Sequence, residues 1–283
     1  MVLVLGSSGY VGSKICQYLR FQEIPFTTFT LRFDISRIDK FDHICRTKHI
    51  SSIINCSGFN GEKSIDDCEV NVQKTEDANA ICVWQIVDIC KKYRIPLLHV
   101  STGCIYDGDQ NWSESDDPNY STSVYNRTKI EAEQIVSTYA NSYICRLRLP
   151  FDYMDNPKNL LSKMIKFTEI TDHYNSITNL NDFAQISVEL IKERKPFGIY
   201  NIVNSGKISF LDIKNILSGF NVAAKPFRVL TPDEERVKFQ IPRSNTTLNN
   251  VKVTHEGFIL DDVRDSIMKC LNNWNNINTD IFW

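Results

Sequence analysis

The chain has 283 residues, 42% of them hydrophobic and 23% charged, with a formal charge of −2. That length and apolar content can bury a substantial core, as one large or two small domains. The balanced charge excludes the basic field of a nucleic-acid or anionic-membrane binder, and no apolar run approaches the roughly 20 residues of a membrane span.

Met1 to Leu5 is a short apolar, β-branched run that predicts a buried strand. Gly6-Ser7-Ser8-Gly9-Tyr10-Val11-Gly12 follows, and Ser13 to Arg20 has the spacing of an amphipathic helix. Strand, glycine-rich turn and helix start form the phosphate-binding unit of a dinucleotide fold. Gly6 permits the sharp turn off the strand, Gly9 permits close approach to a pyrophosphate, and Gly12 permits tight packing of helix on strand. The helix N-terminus offers free N–H groups and partial positive charge to the phosphates. Val2 to Leu5 is too short for a signal-peptide core, which points to a cytoplasmic chain. The nine cysteines include no C-x-x-C pair and read as reduced thiols, with no metal site.

Phe26 to Leu31 predicts a second strand. Its end, Thr30-Leu31-Arg32, lacks the carboxylate that holds ribose hydroxyls in NAD-selective folds and carries an arginine suited to a 2′-phosphate. This favours NADPH. The other reading, in which Arg32 faces solvent and Asp34 meets the adenine through its backbone, leaves NADH open. His49 to Asn55 predicts a third strand ending at Cys56-Ser57-Gly58, Cys68 to Arg94 a helix, and Pro96 to Val100 a strand ending at Ser101-Thr102-Gly103-Cys104. Asp107 to Tyr120 reads as a polar loop, Ser123 to Tyr139 as a helix, and Tyr143 to Leu149 as a strand that Pro150 stops. The alternation predicts an α/β fold, a Rossmann-type doubly wound parallel sheet. Further on, Asn159 to Phe167, Phe183 to Lys192, Ser209 to Leu217 and Asp261 to Trp274 read as helices, Gly198 to Val203 as a strand, and Arg228 to Asn250 as turn-rich. The expected organisation is a dinucleotide domain over 1–150, with 175–203 returning to it, and a smaller substrate-binding part from 151–174 and 204–283.

Tyr125 and Lys129 are four residues apart on a predicted helix, so they share a face. An ammonium beside a phenol favours the phenolate, and such a tyrosine can give a proton to a carbonyl oxygen or take one from an alcohol. Ser101 and Thr102 close a sheet strand, where open α/β sheets bind ligands, and a hydroxyl there can hydrogen-bond the same carbonyl. A phosphate turn, a strand-end hydroxyl and a Tyr/Lys pair are three parts of one hydride-transfer mechanism in the right order.

With these motifs the chain resembles the extended short-chain dehydrogenase/reductase family over nearly its whole length. Thr102-Gly103-Cys104-Ile105, Leu147-Arg148-Leu149-Pro150, Asn156-Pro157-Lys158-Asn159 and Pro242-Arg243-Ser244-Asn245 are similar to segments of plant-type bifunctional UDP-4-keto-6-deoxyglucose 3,5-epimerase/4-reductases. Asp34-Ile35 is similar to the D-I of the related dTDP-4-dehydrorhamnose reductases. The resemblance implies catalytic roles for Thr102, Tyr125, Lys129, Cys104 and Lys163, the last two as acid/base groups for epimerisation. It implies cofactor contacts from Gly6, Ser8, Gly9, Tyr10, Val11, Gly12, Arg32, Asp34, Ile35, Cys56, Ser57, Gly58, Tyr125, Lys129 and Pro150. It implies substrate contacts from Thr102, Cys104, Asn159 and Arg243, the arginine holding the nucleotide diphosphate. His173 is a rival for the second acid/base role, while His99, inside a strand, reads as packed or paired. The substrate would be a UDP-sugar, and helix-pair homodimers are common in the family. Two alternatives stay open: a dTDP-4-dehydrorhamnose reductase without epimerase activity, and a non-catalytic dinucleotide-binding regulatory subunit.

Overall fold

A computed structural model describes residues 1–30, 37–220, 222, 225–239 and 241–275. In chain order the first half contains β1 (Val2–Leu5), α1 (Tyr10–Phe21), β2 (Phe26–Phe29), α2 (Ile38–Thr47), β3 (Ser52–Asn55), α3 (Asp67–Val70), α4 (Val72–Glu76), a π-helical turn (Asp77–Ile81), α5 (Cys82–Tyr93), β4 (Leu97–Thr102), β5 (Gly108–Trp112), α6 (Val124–Ser137) and β6 (Ser142–Leu147). The second half contains β7 (Pro150–Phe151), α7 (Leu160–Lys166), β8 (Glu169–Ile170), β9 (Tyr174–Asn175), β10 (Thr178–Asn179), α8 (Leu180–Lys192), β11 (Gly198–Asn201), β12 (Ile208–Ser209), α9 (Phe210–Ser218), β13 (Arg228–Val229), α10 (Pro232–Lys238), β14 (Thr246–Leu248), α11 (Val251–His255) and α12 (Val263–Asn272).

Six strands form one parallel sheet in the order β11-β6-β4-β3-β1-β2. The order reverses between β1 and β3, which opens a crevice at their C-terminal ends, the position where doubly wound sheets take their ligands. Alternate residues of each strand serve opposite faces. Val2, Val4, Leu98 and Tyr143 pack under α1 and α8, while Leu3, Leu5, Leu97 and Ile144 pack under α2, α5 and α6. This two-sided burial explains why the strands read as continuous apolar runs. A third core, including Phe151, Leu161, Ile177, Ile213 and Ile267, gathers α7, α9 and α12 with the short strands around them.

Several sequence expectations need correction. The Asp107–Tyr120 segment is not all loop: β5 lies within it and pairs with β14, from the turn-rich 228–250 stretch. Neither strand has strong apolar periodicity, so only the pairing across more than a hundred residues reveals them. Pro150 does not simply stop a strand; it opens β7, paired in parallel with β10. The Cys68–Arg94 helix is interrupted at Asn71 and carries the π-turn, where the buried Asn79 accepts from Phe59 N–H at 2.7 Å and donates to Phe59 O at 2.9 Å. That clamp fixes the loop after β3. All nine cysteines are free thiols, and among the described residues no helix is long and apolar enough to cross a membrane.

Candidate active site

The phosphate turn is built as tightly as its glycines require. Gly6 has φ +73°, and a Cβ there would fall 2.7 Å from the Cys56 carbonyl carbon and the Ser57 nitrogen. A Cβ on Gly12 would fall 2.2 Å from Gly6 O. Gly9 N-caps α1 without any side-chain cap, so the first amides of the helix, at Tyr10 and Val11 after Ser8, have no competing acceptor from the cap. Cys56, Ser57 and Gly58 leave β3 directly across the turn, and Ser57 is tied to Asn55 Oδ1. This cradle suits a dinucleotide pyrophosphate. Arg32, Asp34 and Ile35 lie outside the described residues.

β4 delivers the next groups. Ser101 and Thr102 point to opposite sides of the strand. Ser101 Oγ donates to Glu133 Oε1 at 2.5 Å, inside a buried ion pair in which Arg146 holds the other Glu133 oxygen at 2.6 Å. Ser101 is therefore a structural hydroxyl. Thr102 Oγ1 accepts from Cys104 N–H at 3.1 Å, and its side chain faces the Tyr125 phenol and acts to lower that group's pKa. Ser123 caps α6 by accepting from Asn126 N–H, which sets the helix start and aims Tyr125 at this strand end.

The expected effect of Lys129 on Tyr125 requires correction. Burial pushes the Tyr125 phenol above its usual value, with the nearby Cys104 adding to the rise; Thr102 and Arg148 oppose it. Lys129 Nζ instead donates to Val100 O at 2.9 Å and lies 3.3 Å from His99 Nε2. Burial lowers Lys129 itself to about 8. The phenol therefore keeps its proton through neutral pH and is suited to giving it away.

Arg148 is the residue of this cluster that sequence reasoning passed over, although it lay in one of the matched segments. It is 2% exposed, and its Nη1 donates to Cys104 Sγ at 2.9 Å and Ser244 Oγ at 3.0 Å. Nη2 donates to Asn175 Oδ1 at 2.6 Å and to Ser244 O. A buried guanidinium aimed at a thiol stabilises developing negative charge on sulfur. Leu149 has φ +41°, a local strain that turns the chain from β6 into β7 immediately beyond Arg148. The 102–105, 147–150 and 242–245 segments thus meet around Cys104, Arg148 and Ser244.

Arg243, beside Ser244, pairs with Asp66 at 2.6 Å and stacks on the Phe239 ring at 4.9 Å, while its Nη1 is buried without a partner among the described residues. One arm of the guanidinium is thus held by Asp66 and the other keeps an unused donor, which suits an anion. Lys163, on α7, is half-buried, and burial lowers its ammonium, with Lys158 second. Among the described residues it has no side-chain hydrogen bond or ion pair, and no contact joins it to Cys104. Asn159 needs correction. Its Oδ1 accepts from Leu161 N–H at 2.9 Å and its Nδ2 donates to Asp152 O and Met154 O at 2.7 Å each. The side chain caps α7 and folds its own loop, which leaves it nothing to offer a substrate. His173 sits apart, half-buried and paired with Glu235 at 3.0 Å. Pro150 lies just past this strand end, at the start of β7.

A nucleotide cradle at a switch point, followed by a strand-end hydroxyl, a protonated phenol and a buried lysine, defines a Rossmann-type reductase of the short-chain dehydrogenase class. The profile of the RmlD substrate binding domain matches residues 1–276, and the chain belongs to that family. It is 27% identical over 278 residues to a bifunctional dTDP-4-dehydrorhamnose 3,5-epimerase/reductase of Arabidopsis thaliana, covering 94% of this chain and 91% of that one. It is 25% identical to an Arabidopsis trifunctional UDP-glucose 4,6-dehydratase/UDP-4-keto-6-deoxy-D-glucose 3,5-epimerase/UDP-4-keto-L-rhamnose-reductase, of which it spans 41%. The fold is similar to that of the L780 UDP-rhamnose synthase of Acanthamoeba polyphaga mimivirus (TM-score 0.88, 21% identity, 95% and 98% of the two chains). It is also similar to a Bacillus anthracis dTDP-4-dehydrorhamnose reductase in complex with NADP (TM-score 0.82, 18% identity, 96% and 98%).

Proposed function

We propose that this protein is a bifunctional nucleotide-sugar 3,5-epimerase and 4-keto reductase that converts UDP-4-keto-6-deoxy-D-glucose to UDP-L-rhamnose with NADPH. The observation that carries the reading is the meeting of Cys104 with Thr102, Tyr125 and Arg148 at one strand end. A reductase alone needs the hydroxyl and the phenol. The added thiol under a guanidinium suits proton transfer at carbon. The 27% identical Arabidopsis relative, named for both activities, supports the same reading.

In this assignment Thr102 and Tyr125 hydrogen-bond the C4 carbonyl oxygen. Polarising that oxygen acidifies the protons at C3 and C5, because the carbanion is an enolate whose charge rests on the same oxygen. Cys104 moves a proton on one face, with Arg148 steadying charge on the sulfur. Lys163, its ammonium brought down by burial, serves as the second acid/base group. After inversion Tyr125 gives its proton to the C4 oxygen. The nicotinamide, when bound in the Gly6–Gly12 cradle, supplies the hydride. Lys129, one turn along the helix from Tyr125, would hold the cofactor ribose, and Arg243 holds the diphosphate.

The test is purified protein with UDP-4-keto-6-deoxy-D-glucose and NADPH, the sugar product identified by NMR, with Cys104→Ala alongside. L-rhamnose from the wild type and a D-configured 6-deoxy sugar or no product from the variant support the assignment. A D-configured product from the wild type reduces the protein to a simple reductase. No NADPH oxidation with UDP- or dTDP-linked substrate leaves a dinucleotide-binding protein without turnover.

A further inference from the structure

His99 is fully buried on β4, between Asn55 on β3 and Lys129 on α6. The direction of these contacts follows from one backbone amide. Ser57 N–H donates to Asn55 Oδ1 at 3.0 Å, and a backbone N–H can only donate. The Asn55 amide is thereby oriented, with Nδ2 toward His99 Nδ1 at 3.0 Å. Because Nδ2 also only donates, Nδ1 is the acceptor and carries no proton. A neutral imidazole then carries its proton on Nε2, which lies 3.3 Å from Lys129 Nζ. An ammonium at that distance would set N–H against N–H. A neutral amine would instead present its lone pair to the ring, while still donating to Val100 O at 2.9 Å.

We propose that His99 is a positioning residue of the reductase centre: Asn55 holds it as the Nε2–H tautomer, so that its ring donates to Lys129 and favours the neutral amine over the ammonium. The inference rests on the reductase reading above for its catalytic meaning, but the tautomer itself does not. Burial, with Lys129 second, holds His99 well below the ordinary histidine range, so the ring is neutral at physiological pH. Burial likewise brings Lys129 down to about 8. The other titratable groups facing Lys129 are Glu133 on its own helix and the thiols of Cys56 after β3 and Cys104 after β4, each acting toward the ammonium form. Tyr125 lies one turn earlier on the same helix. His99 is thus the neighbour whose hydrogen-bond polarity opposes them. Lys129 becomes a group that exchanges its proton near neutral pH instead of a fixed cation. If reduction uses the ammonium form, activity falls as pH rises through the Lys129 value.

The experiment uses the full chain with 15N-labelled histidine. Imidazole nitrogen shifts of the wild type report which ring nitrogen of His99 is protonated, with no variant and no turnover required. In parallel, kcat/KM for NADPH oxidation by the 4-keto sugar is followed against pH in the wild type, His99→Phe and Asn55→Asp. The phenylalanine keeps a ring but removes the donor. The aspartate keeps the acceptor for Ser57 and takes the Nδ1 proton, which turns Nε2 into an acceptor for the ammonium. The expected result is an Nε2–H wild type and an alkaline limb near pH 8 that moves up by about one pH unit, tenfold in proton concentration, in both variants. An Nδ1–H wild type, or a limb that stays put in both folded variants, overturns the proposal. A wild type that does not oxidise NADPH retires the functional reading, and the nitrogen shifts then decide the tautomer alone.

Discussion

Lys14→Met isolates the ion pair that ties the dinucleotide turn to the chain beyond β7. Lys14 Nζ on α1 meets Asp152 Oδ2 at 2.7 Å, with the two side chains 7% and 3% exposed. The ammonium also lies 4.6 Å from the Tyr153 ring centroid. Burial raises the Asp152 carboxyl above its ordinary value in spite of Lys14 and the Tyr153 N–H, so desolvation outweighs the attraction. Two consequences follow with opposite sign. Removing one partner leaves the other buried and unpaired, which costs about 3–5 kcal/mol. Removing both, as Lys14→Met with Asp152→Leu, discards the desolvation penalty too and should be neutral or stabilising by roughly 1–4 kcal/mol relative to the wild type. Urea unfolding of the wild type, both single variants and the double variant closes the cycle. Because Lys14 sits one turn past the N-terminus of α1, the single variants should also bind NADPH more weakly, read by quenching of protein fluorescence. The reasoning fails if Lys14→Met loses less than about 1 kcal/mol, or if the double variant loses the sum of the two single losses.

Gly12→Ala places a Cβ 2.2 Å from Gly6 O; the turn must open, and NADPH affinity should fall by about tenfold or more in a titration while far-ultraviolet dichroism is retained. Arg148→Met leaves the Cys104 sulfur without its donor. Solvent deuterium incorporation at C3 and C5 should fall at least about tenfold more than NADPH oxidation does, since only the former develops charge on sulfur. Tyr125→Phe removes the proton that reaches the C4 oxygen, and kcat for reduction should fall by about 10²–10⁴ while deuterium exchange falls less. Arg243→Met removes the guanidinium proposed to hold the diphosphate and should raise the nucleotide-sugar KM by about 10–100-fold with kcat little changed, read from steady-state kinetics.

Much of the fold is legible in the chain because its signals are local. The run Val2–Leu5, the glycines at 6, 9 and 12 and the start of α1 are contiguous, and steric limits on Gly6 and Gly12 leave few other conformations. The Tyr125/Lys129 spacing and the Ser123 cap are likewise contained within one helix. The residues that differ from expectation are those whose partners are distant in sequence. β5 finds β14 across more than a hundred residues, and Asn159, conspicuous in a motif, turns inward to cap α7. Arg148 gains a role only because β6 ends beside Cys104 and the 242–245 segment folds over it. Local sequence specifies the strands of the main sheet, the glycine turn, and the spacing that puts Tyr125 and Lys129 on one helix face, since helix period, strand alternation and glycine sterics act within short stretches. Tertiary structure alone decided the hydrogen-bond polarity at His99, the partner of Lys129 and the guanidinium on Cys104. Those depend on burial and on contacts between separate strands, which no local pattern encodes.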